Sequence, residues 1–587
     1  MKIIKKILRE PLFYLLPLLA LAGFWTIPKS PSISNVILTA DGKASAESFP
    51  LSTHRIREYS NFSISFDLNI KSSKKFIYNF YPDDCILSIE INGKTFPQER
   101  IKRACDYNNG TVLDFSDFLQ NGLNKIEFQM KNHGGPGGLR IETPYKGFKS
   151  LSLIHYVFTL LLLISIALIL KKFKFRFIAI SIILLGITVR LILYTYTGPM
   201  QNTYDIDRHL HYIQIIAEEK RLPKGGECWS CFQPPLYYIA SAAVKNIVDS
   251  FSPSLTNRIL QQNSLLLSFG CVILGVALII NLLGNGRVAY SAALVFVLWP
   301  GFVLAAPRIS NDIPFYFGSL FCMLFAQKYW QTRKNSDMLL ASIGASIALA
   351  AKSNGFIILG AWVIIYILKV AHSLKIGSLR VLLASIFIIA LSIGFSNHRA
   401  IVDVFDKKKV ELLGPVNMNG DGLRVQNTAG NYLYFDLRDY LFEPYTSAWT
   451  NNGGRQYFWN YALKTSLFGE FRLWNTHTGH TFATMLSIFA LLIFAFALWG
   501  IIHVKIKEFP MMLFAVFLFA ALISYRVAYP FSCNNDFRFI FPVLLPVVYF
   551  SVRGVQVMQN LRLKILSYAA LLAFAILSFL FTVVQAF

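Results

Sequence analysis

Charged side chains are scarce in this chain. Only 15% of its 587 residues are Asp, Glu, Lys or Arg, whereas soluble globular domains carry about 25%. Hydrophobic residues make up 54%, among them 51 Phe. So much apolar surface with so little charge excludes an ordinary soluble enzyme. The composition predicts a polytopic membrane protein.

Acidic residues are scarcer than basic ones, 32 against 56, which gives a formal net charge of +24. In a soluble protein this excess would indicate a nucleic-acid partner. Here the Lys and Arg residues fall in short blocks between apolar segments, as they do in the cytoplasmic loops of membrane proteins. We therefore expect the bilayer as a partner and no nucleic acid.

Cysteine is also sparse, with seven residues and no spacing typical of a zinc site. Cys271 and Cys322 lie in apolar segments and are expected to be inert. Two further pairs lie in segments that we predict to be exterior, namely Cys85 with Cys105 and Cys228 with Cys231. Disulfides are chemically permitted there.

The first 29 residues combine a basic start with an apolar run from Pro11 to about Ile27. This pattern fits either a cleaved signal peptide or a membrane anchor. We favour an uncleaved anchor whose basic flank stays in the cytoplasm, so that the next segment is delivered outside.

Residues 30–148 have the two-residue hydrophobic period of half-buried strands, as in 62–68 and 86–91. Asn-Gly pairs at 92–93 and 121–122 predict turns between them. These signals predict an exterior all-β sandwich domain. They resemble those of galactose-binding-like jelly-roll modules, a resemblance that leaves sugar binding and a packing or spacer role both open.

After residue 148, apolar segments recur at about the 20-residue length that crosses a bilayer. With the anchor they make thirteen predicted crossings. The twelve after the β domain are 151–170, 177–197, 260–283, 288–305, 313–330, 338–352, 355–371, 380–397, 484–504, 510–529, 538–552 and 565–586.

Charge supports this map. With the N-terminus inside, every short cytoplasmic connection is basic, as Arg333-Lys334 illustrates. Merging 338–352 with 355–371 into one kinked helix would break this parity, so we predict two spans with Lys352 at the outer turn. The map divides the chain into a core at 149–397 with an exterior acidic loop at 198–259, an exterior loop domain at 398–483, and C-terminal helices at 484–587.

The acidic loop contains a run of charged residues, Thr203-Tyr204-Asp205-Ile206-Asp207-Arg208-His209-Leu210-His211. Such a cluster at a membrane edge is costly unless it has a function, although a hydrated loop is the ordinary alternative. If a helix begins near Asp205, its carboxylate lies at the positive end of the helix dipole. In an extended segment, Asp205 and Asp207 would point the same way and could share a cation. The sequence leaves both conformations open.

Other predicted outer turns add polar groups, and residues 234–251 are predicted to form a helix along the outer surface. The groups at these turns are Arg308 with Asp312, Lys352, and Asp536 with Arg538. Each alone has an ordinary explanation, such as snorkelling or helix capping. Jointly they predict one polar site at the exterior membrane face.

Several of these motifs together resemble the GT-C superfamily, integral-membrane glycosyltransferases similar to dolichyl-phosphate-mannose protein mannosyltransferases and lipid A aminoarabinose transferases. They are Asp205-Ile206-Asp207, Pro234-Pro235-Leu236-Tyr237-Tyr238, Arg258, Arg308 with Asn311-Asp312, Lys352, and the later 536–542. The chain departs from the family pattern by placing an anchor, a β domain and an extra span before the acidic loop. It also has Gln233 where a His often precedes the paired prolines.

The resemblance implies transfer of a sugar, with inversion, from a polyprenyl-phosphate donor to a glycan, lipid or protein acceptor. It also implies a bacterial inner membrane with the active site facing the periplasm. The chemistry requires a base and cations for the departing phosphate. We assign Asp205 as the base, Asp207 as its orienting partner, and Lys352, Arg308 and Arg538 as phosphate-binding residues.

Asp312, His209 and Tyr237 are expected to position substrate. Asp205 and Asp207 are also candidate ligands for Mg²⁺ or Mn²⁺, since some relatives look metal-dependent. Residues 461–470 are expected to form a surface helix that ends at Gly469 and closes over the site. The competing hypotheses are a transporter or flippase for lipid-linked sugars and a non-catalytic sugar-binding membrane protein.

Overall fold

The computed structural model describes residues 32–142, 153–370, 376–398, 422–449, 454–471 and 477–584, apart from gaps of one to five residues within the first two ranges. The predicted N-terminal anchor lies outside the described residues. The described part of the chain begins with β-strands and continues as a series of helices.

The N-terminal region is an all-β sandwich, as predicted. Its antiparallel strands pair in the orders β2-β1-β4-β9-β6-β7 and β3-β10-β5-β8. The strands are β1 Ser32–Ala40, β2 Lys43–Glu47, β3 Leu51–Thr53, β4 Asn61–Ile70, β5 Ile77–Asp83, β6 Cys85–Ile91, β7 Lys94–Thr95, β8 Thr111–Asp114, β9 Gly122–Lys131 and β10 Gly137–Glu142. Alternate residues of β4 are buried, and Phe80 of one sheet packs on Phe128 of the other with ring centroids 5.0 Å apart. Inward-facing side chains of the two sheets thus form one core.

The rest of the described chain is helical, which confirms the predicted fold class. The helices are α1 Leu153–Lys172, α2 Phe177–Tyr196, α3 Ile206–Glu219, α4 Leu236–Asp249, α5 Thr256–Leu283, α6 Arg287–Leu298, α7 Pro300–Ala305, α8 Asp312–Thr332, α9 Asn335–Ala351, α10 Gly355–Val370, α11 Ile376–Ser396, α12 Ala429–Leu433, α13 Leu437–Phe442, α14 Phe458–Phe468, α15 His477–Ile502, α16 Phe509–Ala528, α17 Leu544–Val557 and α18 Leu561–Val584.

Seven helical segments among the described residues are long and apolar enough to cross a membrane. They are Phe177–Tyr196, Thr256–Leu283, Leu379–Ser396, Thr478–Ile502, Ile506–Ala528, Ser532–Val557 and Leu561–Val583. Shorter apolar helices lie at Arg287–Leu298, Asn335–Ala351 and Gly355–Lys369. The total of thirteen crossings stays a prediction.

Helices α9 and α10 form a hairpin, so the prediction of two helices rather than one kinked helix is confirmed. The indole nitrogen of Trp362 donates to the hydroxyl of Ser342 at 3.1 Å. This contact joins positions about equally far from the connecting turn, which begins at Lys352. The two helices therefore run antiparallel, with Lys352 at their shared end.

The predicted span at 288–305 is not one continuous helix, because the chain there forms α6 and α7 with a break at Trp299. Proline has no N–H and clashes with the preceding turn, so a helix seldom continues through it. At this break Arg190 of α2 donates to the carbonyl of Val297 at 2.8 Å. The arginine thus provides a donor for a carbonyl at the end of the broken helix.

Helices α8 and α9 approach closely through glycines. A Cβ on Gly318 would lie 2.4 Å from the backbone nitrogen of Ala348, and one on Gly344 would lie 2.5 Å from that of Cys322. Small residues at such a crossing allow the helix backbones to touch. Because the two helices are connected antiparallel neighbours, the start of α8 and the end of α9 lie together.

The opposite ends of these helices are basic. We call this the basic end, defined by Arg333-Lys334 and the turn 505–508, and we call the end with Asp312 and Lys352 the polar end. At the basic end Gln327 Nε2 donates to the carbonyl of Lys507 at 2.8 Å, and Trp330 Nε1 donates to that of Ile506 at 2.9 Å. Arg553 also lies 3.2 Å from Glu508.

The predicted surface helix at 461–470 is buried instead. It belongs to α14, whose residues Tyr461, Leu467 and Phe468 are fully buried. The indole of Trp299 donates to the Ser466 carbonyl at 2.6 Å, which fixes α14 against the break between α6 and α7. Gly469 follows the helix with φ of 65°, a conformation that favours glycine.

Candidate active site

Asp205 immediately precedes α3, so the local conformation that the sequence left open is helical. Its backbone is left-handed, with φ of 48°, and its carbonyl accepts from the amides of Arg208 and His209 at 3.0 and 3.1 Å. An aspartate tolerates this conformation better than most residues, at a cost of about 1 kcal/mol. The strained residue therefore needs support from its surroundings.

The carboxylate of Asp205 lies between two guanidinium groups. Arg208 Nη1 is 3.0 Å from one oxygen, and Arg538 Nη2 is 3.7 Å from the other. Enclosure by protein raises the pKa of Asp205, but Arg208 and then Arg538 outweigh this effect, and the net pKa lies below its usual range. The group is therefore an anion at neutral pH, as a base that accepts a proton must be.

Asp312 and Lys352 form an ion pair at the polar end. Both side chains are buried, and Ser310 donates to the second carboxylate oxygen of Asp312 at 3.4 Å. The Lys352 ammonium lies 4.9 Å from the ring centre of Phe539. The predicted positioning residue and the predicted phosphate-binding residue are thus direct partners.

Arg308 and Arg538 both contact the ring of Tyr204. Their guanidinium carbons lie 4.8 and 3.9 Å from its centre, and Tyr204 OH accepts from the backbone N–H of Glu470 at 3.0 Å. Two cations from distant parts of the chain therefore converge beside Asp205. Cations in this arrangement can bind one phosphate group.

His209 and Tyr237 lie next to each other behind the acidic loop. His209 Nδ1 is 2.9 Å from Tyr238 OH, and its ring centre is 6.4 Å from that of Tyr237. Burial lowers the pKa of His209 to about 4, against the opposing effect of Asp205. The imidazole is therefore neutral at pH 7 and suits hydrogen bonding rather than phosphate binding.

Glu470 is a site residue that the sequence did not reveal. Its carboxylate accepts from Tyr461 OH. Burial, followed by the nearby Asp536, raises the pKa of Glu470 to about 7. Asp536 itself lies 3.5 Å from Arg538. Treating 461–470 as a surface helix placed Glu470 away from the site, and no local motif pointed to it.

The predicted site for Mg²⁺ or Mn²⁺ rests on Asp205 and Asp207. Among the residues described, no three His, Cys, Asp or Glu side chains are grouped as a metal site. Asp207 lies in the first turn of α3 whereas Asp205 precedes the helix with a left-handed backbone, and both oxygens of Asp205 face guanidinium groups. The two carboxylates therefore fit a metal poorly in this arrangement, and the proposed reaction uses none. The cation stays a prediction.

Two disulfides occur in the segments predicted to be exterior. Cys85 bonds to Cys105 in the β domain, and Cys228 bonds to Cys231 in the acidic loop. Trp229, between the second pair, stacks on Arg208 with 4.1 Å from the guanidinium carbon to the ring centre. The second disulfide thus constrains the segment around Trp229. This tryptophan stacks on Arg208, which forms an ion pair with Asp205.

Carboxylates and cations thus gather at one end of an apolar helix bundle. The family model of dolichyl-phosphate-mannose-protein mannosyltransferase matches residues 237–397, a segment that includes Arg308, Asp312 and Lys352. The match confirms the resemblance drawn from the motifs. The chain is a multi-pass membrane glycosyltransferase whose sugar donor is carried on a polyprenyl phosphate.

The matched segment is less than half of the chain. Asp205, Arg538 and the β domain lie outside it. A search of curated proteins finds no match. The roles of individual side chains therefore depend on their geometry.

Proposed function

We propose that the enzyme transfers its sugar at the polar end, with inversion, to an acceptor hydroxyl of a glycan, lipid or protein. The observation that carries this proposal is the position of Arg538, which is within 3.7 Å of Asp205 and shares the Tyr204 ring with Arg308. A base and cations suited to phosphate thus meet at one point. This is what displacement of a phosphate by a hydroxyl requires.

In the proposed reaction, Asp205 takes the proton from the acceptor hydroxyl. The acceptor oxygen forms a bond to the anomeric carbon while the bond from that carbon to the phosphate oxygen breaks. The electron pair of the broken bond stays on the polyprenyl phosphate, where Arg308, Arg538 and Lys352 stabilise the added negative charge. Asp207 orients Asp205, and Asp312 holds Lys352.

The arrival of the donor phosphate also explains how Asp205 becomes available. At 3.7 Å the contact with Arg538 is long for an ion pair. The phosphate anion of the donor competes for the same guanidinium. Binding of the donor would therefore draw Arg538 away and raise the basicity of Asp205 in part, while Arg208 stays 3.0 Å from the other oxygen.

The proposal is tested with purified protein, a labelled polyprenyl-phosphate sugar and a membrane extract as the source of acceptor. Asp205→Asn should lower transfer by about 10²- to 10⁴-fold, the usual contribution of general-base catalysis. Asp117→Asn changes an exposed β-domain carboxylate and should leave transfer unaltered. Turnover by Asp205→Asn at the wild-type rate would remove Asp205 as the base.

We also propose that the polar end faces the periplasm of a bacterial inner membrane. The basic character of the opposite end supports this orientation. Single cysteines at Lys224 and Lys507, both exposed, provide the test in intact cells. An impermeant maleimide should label Lys224→Cys and leave Lys507→Cys unlabelled, and the reverse pattern would invert the map.

A further inference from the structure

The β domain contacts the acidic loop through two polar residues of β10, Arg140 and Glu142. Arg140 Nη1 lies 3.3 Å from the carbonyl of Met200 and 3.4 Å from Oγ1 of Thr203, and donates to both. Glu142 accepts from the backbone N–H of Met200 at 3.4 Å. Arg140 thus binds oxygen atoms of the loop, while Glu142 binds one of its amides.

The β domain itself fixes both side chains. Arg140 is only 2% exposed, and its Nη2 donates to the Tyr107 carbonyl at 2.9 Å. Its guanidinium carbon lies 4.1 Å from the centre of the Tyr107 ring. Tyr81 OH donates to Glu142 at 3.3 Å. These contacts orient the two side chains, so that little entropy is lost when they bind the loop.

The membrane core holds the start of the same loop. Arg258 of α5 donates to the carbonyl of Thr197 at 2.8 Å and to that of Tyr194 at 2.7 Å. The loop is therefore fixed by α5 at Thr197 and by β10 at Thr203. Two residues further on is the left-handed Asp205, which needs such support to keep its conformation.

We propose that Arg140 and Glu142 are positioning residues for sugar transfer, and that docking of the β domain sets the conformation of residues 203–205 and hence the place of Asp205. This proposal rests on the proposed function. It gives the β domain a role in the reaction that differs from both sugar binding and a spacer. Neither residue touches the donor or the acceptor in this role.

Docking of the β domain also affects ionisation in the acidic loop. Burial raises the pKa of Asp207, and Arg140 is the first of the groups that oppose this rise. Without Arg140 the pKa of Asp207 would rise further.

The test uses the full-length protein with three variants. Arg140→Met removes the charged group but keeps much of its bulk, and Thr203→Val removes one partner on the loop while leaving the β domain unchanged. Arg100→Met is the matched control, because Arg100 forms an exposed ion pair with Asp117 on the same domain. For each, steady-state kinetics and hydrogen–deuterium exchange of residues 203–209 are measured.

We expect Arg140→Met to lower kcat by about 10- to 100-fold, the scale of a small misplacement of a reacting group. The KM for the donor should stay within about twofold, because the phosphate-binding cations are untouched. Amides of 203–209 should exchange at least about tenfold faster, and Thr203→Val should show the same changes to a smaller extent. Arg100→Met should match the wild type.

Two results would overturn the proposal. One is unchanged loop exchange and kcat in Arg140→Met, and the other is faster exchange with unchanged kcat. Faster hydrogen–deuterium exchange in β4 and β9 would show that Arg140→Met unfolds the β domain. In that case Thr203→Val tests the proposal, and the same two results in that variant would overturn it. Failure of the proposed function would look different, since wild-type protein would then turn over no donor while loop exchange would still respond to Arg140→Met.

Discussion

Arg538 Nη2 lies 3.7 Å from the carboxylate of Asp205, and the Arg538 guanidinium also stacks on Tyr204, the residue just before Asp205. After Arg208, Arg538 is the strongest of the groups that lower the pKa of Asp205, the proposed base. A residue far away in the sequence thereby contributes to the ionisation of one in the acidic loop. In the proposed reaction, the same contact would link donor binding to activation of the acceptor.

Arg538→Gln should therefore affect both substrates. We expect kcat/KM for the donor to fall by about 10²- to 10³-fold, the range seen when one transition-state donor is removed. The pKa of Asp205 should rise, so the acid limb of the pH-rate profile should move to higher pH. Arg100→Gln serves as the control. An unshifted acid limb with normal kcat/KM would contradict this link.

The ion pair of Asp312 and Lys352 should respond differently to single and double substitution. Lys352→Met leaves the buried Asp312 without its cation, and breaking such a pair costs about 3–5 kcal/mol. Thermal unfolding in detergent should show this loss. The double variant Lys352→Met/Asp312→Asn should recover most of the stability but remain at least about 100-fold less active. A fully active double variant would make the pair purely structural.

Glu470 should make stability depend on pH. Its pKa is raised from 4.5 to about 7, chiefly by burial. Between these values the folded state holds a proton that the unfolded state releases, so the stabilising contribution is full below about 4.5 and is lost as pH rises through about 7. The unfolding temperature of the wild type should fall from pH 5 to pH 8 relative to that of Glu470→Gln. Parallel curves for the two proteins would show that Glu470 has an ordinary pKa.

Gly344 should be intolerant of substitution. The added Cβ of Gly344→Ala would meet the backbone of Cys322 in α8, which cannot rotate away. The helices would separate, and Asp312 and Lys352 with them. We expect lower thermal stability and reduced transfer. Gly394→Ala is the control, since a Cβ there meets nothing within 4 Å and should be neutral or slightly stabilising. Equal behaviour of the two variants would refute the close crossing.

Local patterns in the sequence predicted most of the fold. The alternating hydrophobic residues of β4 reflect burial of one face of the strand, and the long apolar runs of α2, α5 and α8 reflect helices surrounded by apolar groups. Each pattern can be recognised from the segment alone. The helix break before Pro300 had a local signal, the proline itself. We did not predict the break because the residues on both sides of the proline form one apolar run. The candidate cations were found because charge is rare beside apolar spans.

Other parts of the site could not be predicted, because they depend on contacts distant in sequence. The contact of Arg140 with Thr203 exists only because the β domain docks on the loop. Glu470 likewise gains its raised pKa in part from Asp536, which belongs to another segment. Neither Arg140 nor Glu470 belongs to a sequence motif that would have indicated its role. The left-handed backbone at Asp205 could not be predicted either, because glycine is the usual signal for that conformation and this position is an aspartate.

The contacts of Gln327 and Trp330 with the turn 505–508 bear on the hypothesis of a sugar carrier. A carrier that works by alternating access must open toward each side of the bilayer in turn. Here the ends of the helices remote from the site are joined by hydrogen bonds to backbone carbonyls and by the pair of Arg553 with Glu508, all of which would have to break in every cycle. In the described part of the chain, the basic end is thus held closed by contacts between helices and the turn 505–508, an arrangement that favours an enzyme over an alternating-access carrier.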